Sequence, residues 1–344
     1  MPMFAIAKTE AAVGLSPIQT SHPEKPTAGE VQIKVHYAGL CGTDMHIYNW
    51  DAWSQEHVKP QRILGHEFVG EVVAVGDGVT RVETGQMVSG ECHVVCGVCS
   101  LCKAGKAHLC EQTEIIGVHR DGAFAEVFNF PESNVWPVHS SIPTKHAAIF
   151  DPLGNAMHTV DAADVGGKNA LVVGAGTIGL AAVSMAKSRG AKRVFVFEPN
   201  PEKRALALQF GADEAVDSAD ANKWSVLKGV EIGSVLEMSG HPAGMNDAFE
   251  AVQAGGTVAM LGLPSSEISF DFAKHIIMKG VSVHGVIGRK MYETWEQVDT
   301  FQRSHADTVE KLITHTVKAE NFEDAFAHMK AGKSIKTVLD FSHF

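Results

Sequence analysis

Alternating apolar and polar residues characterise roughly the first 150 residues of the chain. Between Val31 and Tyr37, apolar side chains alternate with Gln32, Lys34 and His36, which is the period of a half-buried strand. Short runs such as FVGEVVAVG and GQMVSG, separated by glycine and proline, continue this pattern. The pattern predicts a β-rich domain of barrel or sandwich type with few helices.

From about Lys168 to Ile287 the pattern changes to short apolar strands separated by helical stretches. The strand candidates are NALVVG, RVFVFE, SVLEMS, GTVAMLG and VSVHGVI. A helix is predicted after RVFVFE, because Asn200 can cap it, Pro201 suits its first turn and Gly211 can end it. Such alternation is typical of an α/β fold with a parallel sheet.

The tail of the chain is predicted to return to the first domain. After Met291 the strand pattern ceases, and NFEDAFAHMKAGKSIKTVLDF favours an amphipathic helix followed by a closing strand. That strand could pair with the β-rich part of the chain.

The composition limits the classes of protein that this chain can belong to. Its 344 residues suffice for two domains, and its net charge of −11 offers no positive field for nucleic acid or anionic lipid. The longest nearly apolar run, from Ala170 to Ala186, is too short for a membrane span and contains three glycines. The start, MPMFAIAKTE, lacks the pattern of a secretory signal, so we expect a cytoplasmic protein.

The run LVVGAGTIGLAAVSMAK predicts a strand, a turn and a helix that together bind a dinucleotide. Gly174, Gly176 and Gly179 give the spacing G-x-G-x-x-G. The first glycine permits a tight turn, the second lets a pyrophosphate approach the backbone, and the third lets helix and strand pack closely. The alternative is a nucleotide-binding fold that holds no dinucleotide.

The residue that ends the next strand, Glu198, bears on the choice between NAD and NADP. A carboxylate there can accept hydrogen bonds from the ribose hydroxyls and would repel the extra phosphate of NADP. Lys203 and Arg204 follow closely, and either could meet that phosphate. The prediction is NAD.

The six cysteines all lie in the first third of the chain, which favours metal binding or catalysis over disulfides. Four of them have the spacing C-x2-C-x2-C-x7-C, namely Cys96, Cys99, Cys102 and Cys110. Four thiolates can complete a tetrahedral zinc without an open position, which predicts a structural zinc site. An iron–sulfur cluster or buried thiols without metal are the alternatives.

A second candidate metal site begins at Cys41, directly after the first alternating strand. With His66 and Glu67 it could supply one thiolate, one imidazole and one carboxylate, and leave a coordination position open for chemistry. Taken alone, these positions could equally be ordinary structural residues. Cys92 and His93 are left over, either as loop residues or as walls of a neighbouring pocket.

Together, CGTDMHIYNW, GHEFVGEVV, the four-cysteine segment and the glycine motif resemble the zinc-containing medium-chain dehydrogenases over essentially the whole chain. The segments DPLGNAMHT, EMSG, AMLGLP and GRKMYETW resemble a threonine-oxidising branch of that family. The resemblance implies an α/β protein with a GroES-like catalytic domain at 1–151 and 291–344. It also implies an inserted, doubly wound Rossmann domain at 152–290 and assembly into a homotetramer.

The resemblance also assigns roles to individual residues. It implies a catalytic zinc at Cys41, His66 and Glu67, Asp151 as a further acidic neighbour or ligand, and Thr43 with His46 as a proton relay. The implied cofactor-binding residues are Gly174, Gly176, Ile178, Gly179, Glu198, Lys203, Leu261, Gly262, Leu263, Val286 and Ile287. Two positions depart from the family pattern, since Glu198 stands where aspartate is more frequent and Cys92 where a small residue is expected.

The implied reaction is hydride transfer from a zinc-bound alkoxide of L-threonine to NAD, giving 2-amino-3-oxobutanoate and NADH. Trp50 and Trp53 could shape the substrate pocket, or could only pack the loop against the core. One alternative is a zinc-dependent polyol or secondary-alcohol dehydrogenase of the sorbitol or 2,3-butanediol type. A non-catalytic NAD-binding protein with the same fold is another, and a zinc-independent quinone reductase is disfavoured.

Overall fold

The computed structural model describes residues 2–264 and 266–344. Its strands are, in chain order, β1 (Pro2–Lys8), β2 (Ser16–Ser21), β3 (Glu30–Gly39), β4 (Arg62–Ile63), β5 (Glu67–Val75), β6 (Met87–Gly90), β7 (His93–Val94), β8 (Glu114–Ile115), β9 (Val127–Pro131), β10 (Val135–Pro137), β11 (Asn169–Val173), β12 (Arg193–Phe197), β13 (Glu214–Val216), β14 (Ile232–Glu237), β15 (Val252–Met260), β16 (Ser282–Gly285), β17 (Ile313–Lys318) and β18 (Lys336–Asp340). Its α-helices are α1 (Gly42–Asn49), α2 (Ala52–His57), α3 (Ser100–Lys103), α4 (Thr144–Ala147), α5 (Phe150–Ala163), α6 (Thr177–Ser188), α7 (Pro201–Gln209), α8 (Pro242–Ala251), α9 (Glu293–Ser304), α10 (Ala306–Leu312) and α11 (Phe322–Lys330). Within the described residues, no helix is both long and apolar enough to cross a lipid bilayer.

The chain divides into two compact units. Unit 1 consists of Met1–Asp151 and Lys290–Phe344, and unit 2 consists of Pro152–Arg289. Unit 2 is therefore an insertion in the sequence of unit 1. The tail segment begins at Lys290, one residue before the boundary predicted from the sequence.

Unit 1 is built mainly from antiparallel sheets. One sheet has the strand order β10-β6-β5-β3-β18-β17, with β9 also pairing with β3, and a smaller one has the order β2-β1-β4. The predicted alternation in β3 is present, since Val31, Ile33 and Val35 are fully buried between half-buried polar residues. Their neighbours in the core include Phe68, Phe128 and other large apolar residues. The prediction of a β-rich domain is confirmed.

Helices are few and short in the first 150 residues, as predicted. The two longest that end before Phe150, α1 and α2, have 8 and 6 residues, follow directly after β3 and carry the polar segment around His46. Capping explains both helices: the Asp44 side chain accepts from the backbone N–H of Cys41, and Asp51 accepts from the N–H of Ser54. One expectation about unit 1 is wrong: strands do not cease after Met291, because β17 precedes the closing helix and strand.

The predicted closing strand is β18, and it does rejoin the first part of the chain. It pairs antiparallel with β3 and parallel with β17, and α11 makes the connection between β17 and β18. The pairing brings the last strand of the chain to the end of β3, where Cys41 follows. The tail thus contributes to the same region as the N-terminal cysteine.

Unit 2 contains one parallel sheet in the order β13-β12-β11-β14-β15-β16. Counted from β11, this is the order 3-2-1-4-5-6 of a Rossmann fold, whose ligand lies at the carboxyl ends of the strands. Its core is formed by residues such as Leu171, Phe195 and Val235. All five predicted strands are present, whereas the three-residue β13 was not predicted.

The predicted helix after β12 is α7, and its ends follow the sequence signals. The side chain of Asn200 accepts from the backbone N–H groups of Glu202 and Lys203, and Pro201 is the first helical residue. Gly211 follows with φ +101°, a left-handed conformation that glycine adopts without strain.

Candidate active site and metal centres

Cys41, His66 and Glu67 come together where β3 ends and β5 begins. The antiparallel register places Gly39 opposite Glu67, and Cys41 follows two residues later. A Cβ atom on Gly39 would lie 2.1 Å from Oε2 of Glu67, so glycine leaves room for the carboxylate. The three ligand atoms lie within 4.8 Å of one another, and thiolate, imidazole and carboxylate are all donors that zinc binds.

A buried lysine lies beside Glu67. Nζ of Lys336, on β18, lies 2.6 Å from Oε1 and 2.5 Å from Oε2 of Glu67, and it donates to the carbonyl of Leu40 at 2.8 Å. Burial lowers the pKa of Lys336, but Glu67 and Cys41 outweigh burial and raise it. Sequence reasoning missed this residue, because 269 positions separate it from Glu67 and no local motif marks it.

Asp44 and Asp151 add further buried carboxyl groups. Oδ1 of Asp44 lies 3.8 Å from Nδ1 of His66, and burial raises the pKa of Asp44. Burial lowers the pKa of His66, but the charges of Asp44, Cys41 and Asp151 outweigh it and raise the pKa to about 10. The acidic groups around His66 therefore stabilise a positive charge at this position.

The residues present fit a metal ion. Nδ1 of His66 is buried and makes no hydrogen bond, which is a costly state for an imidazole nitrogen unless another group binds there. Asp151 lies close enough to shift the pKa values of His66 and Glu67. In the described part of the chain, however, the ligand group within 4.8 Å contains Cys41, His66 and Glu67 and leaves out Asp151.

Thr43 and His46 lie on α1, directly after Cys41. Oγ1 of Thr43 is 3.9 Å from the Cys41 sulfur. His46 is one turn further and exposed, and its Nδ1 lies 2.5 Å from Oδ2 of Asp51. An exposed imidazole oriented by a carboxylate can exchange protons with solvent.

The two tryptophans after α1 have different environments. Trp50 packs against the core of unit 1, and Nζ of Lys8 lies 4.9 Å from the centre of its ring. Trp53 is 37% exposed and stacks on His57 with 4.8 Å between ring centres. Trp50 is therefore a packing residue, and Trp53 keeps surface that a ligand could contact.

The four cysteines of the predicted structural zinc site form a compact lobe. The sulfur atoms of Cys96, Cys99, Cys102 and Cys110 lie within 4.8 Å of one another. Backbone N–H groups of Cys99 and Cys102 donate to the sulfurs of Cys96 and Cys99, both at 3.4 Å. No disulfide joins any of the six cysteines. Four convergent sulfurs with N–H donors fit a tetrahedral zinc.

The pKa values within this lobe diverge, because four adjacent thiols cannot all ionise in the absence of a cation. A backbone hydrogen bond from Cys96 lowers the pKa of Cys110 to about 6. Burial and the neighbouring thiols raise the pKa of Cys102 to about 12. A bound dication removes this conflict, since coordinating thiols are deprotonated outright.

In unit 2, the predicted glycine turn lies between β11 and α6. Gly174 has φ +92°, which explains the first glycine. A Cβ on Gly179 would lie 2.0 Å from the carbonyl oxygen of Gly174, so the third glycine permits close packing of helix and strand. At Gly176 no atom lies within 4 Å of such a Cβ, which leaves space for a pyrophosphate at the helix N-terminus. Ile178 is half-buried in the first turn of α6.

Glu198 is buried beside this turn. Oε2 accepts from the backbone N–H of Ala175 at 2.7 Å, and Oε1 accepts from that of Asn200 at 2.9 Å. Each oxygen keeps a lone pair that a ribose hydroxyl could use. Arg204 donates to the carbonyls of Glu198 and Pro199, so its guanidinium group is already hydrogen-bonded to the backbone. Lys203 is half-buried at the start of α7.

The remaining predicted cofactor residues lie after β15 and β16, at the carboxyl edge of the same sheet. The N–H groups of Leu261 and Gly262 donate to the carbonyl of Glu237, and Val286 donates to that of Met260. Leu263 is 90% exposed and Ile287 is 58% exposed. These exposed apolar side chains follow parallel strands at the edge where dinucleotides bind in such sheets.

The leftover residues of the sequence, Cys92 and His93, adjoin a buried carboxylate that sequence reasoning did not consider. Ligand atoms of Glu91, Cys92 and His93 lie within 4.8 Å of one another. The three residues are consecutive and match no recognised metal-binding motif, so no joint role for them could be predicted from the sequence.

Comparison with known proteins agrees with this geometry. Residues 27–140 match the alcohol dehydrogenase GroES-like domain family, and residues 177–304 match the zinc-binding dehydrogenase family. A short-chain alcohol dehydrogenase from Escherichia coli CFT073, complexed with NADH, superposes with a TM-score of 0.90 at 29% identity, covering 98% of this chain and 99% of that chain. Galactitol-1-phosphate dehydrogenase from Escherichia coli gives a TM-score of 0.90 at 27% identity, covering 98% and 100%.

Fold and donor sets together define a zinc-binding dehydrogenase with a GroES-like and a Rossmann part, which confirms the predicted fold class. L-threonine 3-dehydrogenase from Pyrococcus abyssi is 42% identical over 342 residues, 98% of each chain. The enzyme of the same name from Bacillus licheniformis is 44% identical over 314 residues, 90% of this chain and 91% of the relative. The chain belongs to the family of these L-threonine 3-dehydrogenases.

Proposed function

We propose that the protein oxidises the 3-hydroxyl group of L-threonine with NAD, forming 2-amino-3-oxobutanoate and NADH. The observation that carries this proposal is the convergence of Cys41, His66 and Glu67 in a chain 42% identical to a threonine dehydrogenase over almost its whole length. Three protein donors leave a coordination position for a substrate oxygen, as in catalytic zinc sites.

Cys41, His66 and Glu67 would hold the catalytic zinc, with Asp151 as an acidic neighbour. Bound there, zinc supplies Lewis acidity that makes a hydroxyl far more acidic. Lys336 balances the charge of Glu67, and Asp44 orients the loop through the N–H of Cys41. These neighbours hold the donors in place before substrate arrives.

Thr43 and His46 would carry the hydroxyl proton away. Thr43 lies beside the Cys41 sulfur, and His46 lies one helical turn further in contact with solvent. Asp51 holds the His46 ring through Nδ1, which leaves Nε2 to exchange a proton. Proton removal by these residues precedes departure of the hydride.

The glycine turn with Ile178, Glu198 and Lys203 would bind the adenosine half of NAD, and the loops after β15 and β16 would flank the nicotinamide. The choice of NAD over NADP rests on the buried carboxylate of Glu198 and on the engagement of Arg204 with backbone carbonyls. A phosphate on the ribose would meet a negative charge there.

We assign 1–151 and 291–344 to the catalytic domain, which also holds the structural zinc at its four-cysteine lobe, and 152–290 to the NAD-binding domain. Six free thiols, most of them grouped as metal donors, suit a reducing compartment, and we propose a cytoplasmic location.

We further propose a homotetramer. Strand β16 is the edge of its sheet and is exposed along its length, and Ile277 and Met278 nearby are 71% and 81% exposed. Val98 on the four-cysteine lobe is also exposed and lies in a different unit of the chain. Exposed apolar residues in two separate places are consistent with a tetramer that has two kinds of interface. Sedimentation equilibrium measures this directly, and a monomer at micromolar concentration contradicts it.

The test of the activity is a turnover assay with NAD on L-threonine, sorbitol and 2,3-butanediol, before and after chelation and after zinc is restored. We expect kcat/KM to be highest for threonine, to vanish on chelation and to return with zinc. A preference for a polyol would instead support the second candidate, a polyol dehydrogenase, which the similarity to galactitol-1-phosphate dehydrogenase favours.

A further inference from the structure

Three consecutive residues of unit 1, Glu91, Cys92 and His93, form a second set of one carboxylate, one thiol and one imidazole. Threonine oxidation as described above uses none of them. Glu91 and Cys92 are buried, and the His93 side chain is 18% exposed. Their ligand atoms all lie within 4.8 Å of one another, and they form a group separate from Cys41, His66 and Glu67.

The distances match those between the ligands of one metal ion. The Cys92 sulfur lies 3.4 Å from Nδ1 of His93. A tetrahedral zinc with bonds of about 2.3 Å to sulfur and about 2.0 Å to nitrogen places these two atoms roughly 3.5 Å apart. The pair therefore needs almost no rearrangement to bind one ion.

Glu91 completes the set with a small movement. Its Oε1 lies 2.7 Å from Nδ1 of His93, which is a hydrogen-bond distance. Coordination to one zinc requires about 3.3 Å between an oxygen and a nitrogen ligand. Oε1 also accepts from the backbone N–H of His93 at 3.1 Å. The carboxylate and the ring must separate by about 0.6 Å, and a metal ion bound to both atoms then replaces the hydrogen bond between them.

Neighbouring residues hold these donors in position. Nε1 of the buried Trp295 donates to Oε2 of Glu91 at 2.9 Å, which directs Oε1 towards His93. Nδ2 of Asn134 donates to the carbonyls of Glu91 and His93 at 2.7 and 2.8 Å, which fixes the backbone on both sides of Cys92. Oriented ligands with such outer partners are typical of metal sites.

We propose that Glu91, Cys92 and His93 form a third zinc site, distinct from the catalytic and the structural one. One thiolate and one imidazole select borderline cations such as Zn²⁺ and Co²⁺ over Mg²⁺ and Ca²⁺. Binding releases the thiol proton of Cys92 to solvent, and the neutral imidazole carries its proton on Nε2. Three protein donors leave the fourth position to water.

This site binds its ion more weakly than the four-cysteine lobe, because it offers one thiolate rather than four. The third ion therefore dissociates on dialysis together with the catalytic ion, whose donor set is of the same type, while the structural zinc stays. Zinc bound per chain then rises by two equivalents when free Zn²⁺ is raised, and Co²⁺ added to the dialysed enzyme gives the visible absorption of tetrahedral thiolate sites.

The experiment measures zinc per chain by elemental analysis at graded free Zn²⁺, and Co²⁺ absorption, in the intact enzyme. We expect three equivalents in the wild type and in the control His22→Gln, at an exposed position, but two in Cys92→Ser and His93→Gln. The two variants change different donors, and circular dichroism verifies their folding. The result from either variant is therefore a valid test of the third site, provided that this variant is folded.

Saturation of the wild type at two equivalents overturns the proposal, and so does a folded Cys92→Ser or His93→Gln variant that retains the third ion and its cobalt absorption. Neither result bears on threonine turnover, which depends on Cys41 and His66. Failure of the third site is thus distinguishable from failure of the proposed function.

Discussion

At the scale of single residues, the ion pair between Lys336 and Glu67 compensates the charge of a buried candidate zinc donor. Both side chains are almost fully buried, and the lysine contacts both carboxylate oxygens. A buried charge without its partner costs several kcal/mol, although the intact pair itself contributes little net stability.

We therefore expect Lys336→Met to lower the free energy of unfolding of the metal-free protein by about 3–5 kcal/mol, because it leaves the buried Glu67 without a positive partner. Urea unfolding after chelation measures this loss, since zinc bound at Glu67 would itself compensate the carboxylate. Lys336→Arg, which keeps the charge, is the matched control and should lose much less.

The double variant Lys336→Met with Glu67→Gln shows whether lost charge compensation or lost packing causes the decrease in stability. If charge is responsible, the double variant is more stable than the single one, because no uncompensated carboxylate remains. Equal losses in both would attribute the effect to packing around Lys336 alone.

Sequence patterns single out the candidate site residues that lie in local motifs, and they give no signal for those that tertiary contacts between distant segments bring in. Cys41 and His66 are recognisable because zinc demands particular donors. Lys336 and Glu91 are not recognisable in this way, because lysine and glutamate are mostly exposed in proteins, and only tertiary contacts bury these two.

At the scale of elements, two glycines at the turn between β11 and α6 are needed for different reasons. Gly179 lets the helix pack against the strand, and Gly176 leaves space for the cofactor. Gly179→Ala would place a Cβ 2.0 Å from the carbonyl oxygen of Gly174. We expect a loss of about 1–3 kcal/mol in unfolding free energy, because α6 must move away from β11. Urea unfolding measures this.

Gly176→Ala is the counterpart in the same turn, because its Cβ would meet no atom within 4 Å and its φ of −73° suits alanine. Stability should stay near the wild-type value, while affinity for NAD falls about tenfold or more, since the methyl group occupies the pyrophosphate space. A titration followed by nucleotide fluorescence measures this affinity. An unchanged affinity would show that the pyrophosphate does not bind at this turn.

A pH-dependent contact joins the segment after α7 to β12. Oδ2 of Asp213 accepts from the N–H of Val194 at 2.7 Å and from Nζ of Lys187 at 3.1 Å. Burial raises the pKa of Asp213, but these two bonds outweigh burial and hold the pKa below its usual range. The ionised carboxylate therefore stabilises the fold at neutral pH.

Asp213→Asn should lower the unfolding free energy by about 1 kcal/mol near pH 7, because a neutral acceptor binds these donors less strongly. A lowered pKa means that the contribution is complete above about pH 4 and is lost as pH falls through the folded pKa. Urea unfolding from pH 7 to 3 should show the two proteins converging at low pH. The exposed Glu56→Gln control should show no such convergence, and a constant difference for Asp213→Asn would exclude the charge as its cause.

The strands β11, β12 and β14 could be predicted because both faces of their sheet are buried, so that each strand is a continuous apolar run. Prediction failed for β13 and β17, which are short or alternate weakly because they lie at sheet edges. It also failed for α1, whose helical state depends on capping by Asp44 rather than on an apolar stripe.

At the scale of the whole molecule, the two units differ in how the chain builds them. Unit 2 is continuous from Pro152 to Arg289, and its six strands pair only with one another in the described chain. Unit 1 needs both ends of the chain, because β18 pairs with β3 and carries Lys336 to Glu67. The sequence could indicate this return only through the closing helix and strand pattern.

This difference predicts what happens when the chain is divided. Residues 152–290 alone should unfold cooperatively and bind NAD, because their sheet and its apolar core are complete within the fragment. Residues 1–151 alone should fail to fold even with zinc, since an edge of β3 loses its partner and Glu67 loses its hydrogen bond from the ammonium group of Lys336. Adding the segment 291–344 in trans should restore folding to some of the chains, because it returns β18 and Lys336. Thermal unfolding and NAD titration of each fragment measure this, and a zinc-loaded 1–151 fragment that unfolds cooperatively would show that the tail is dispensable to the metal site.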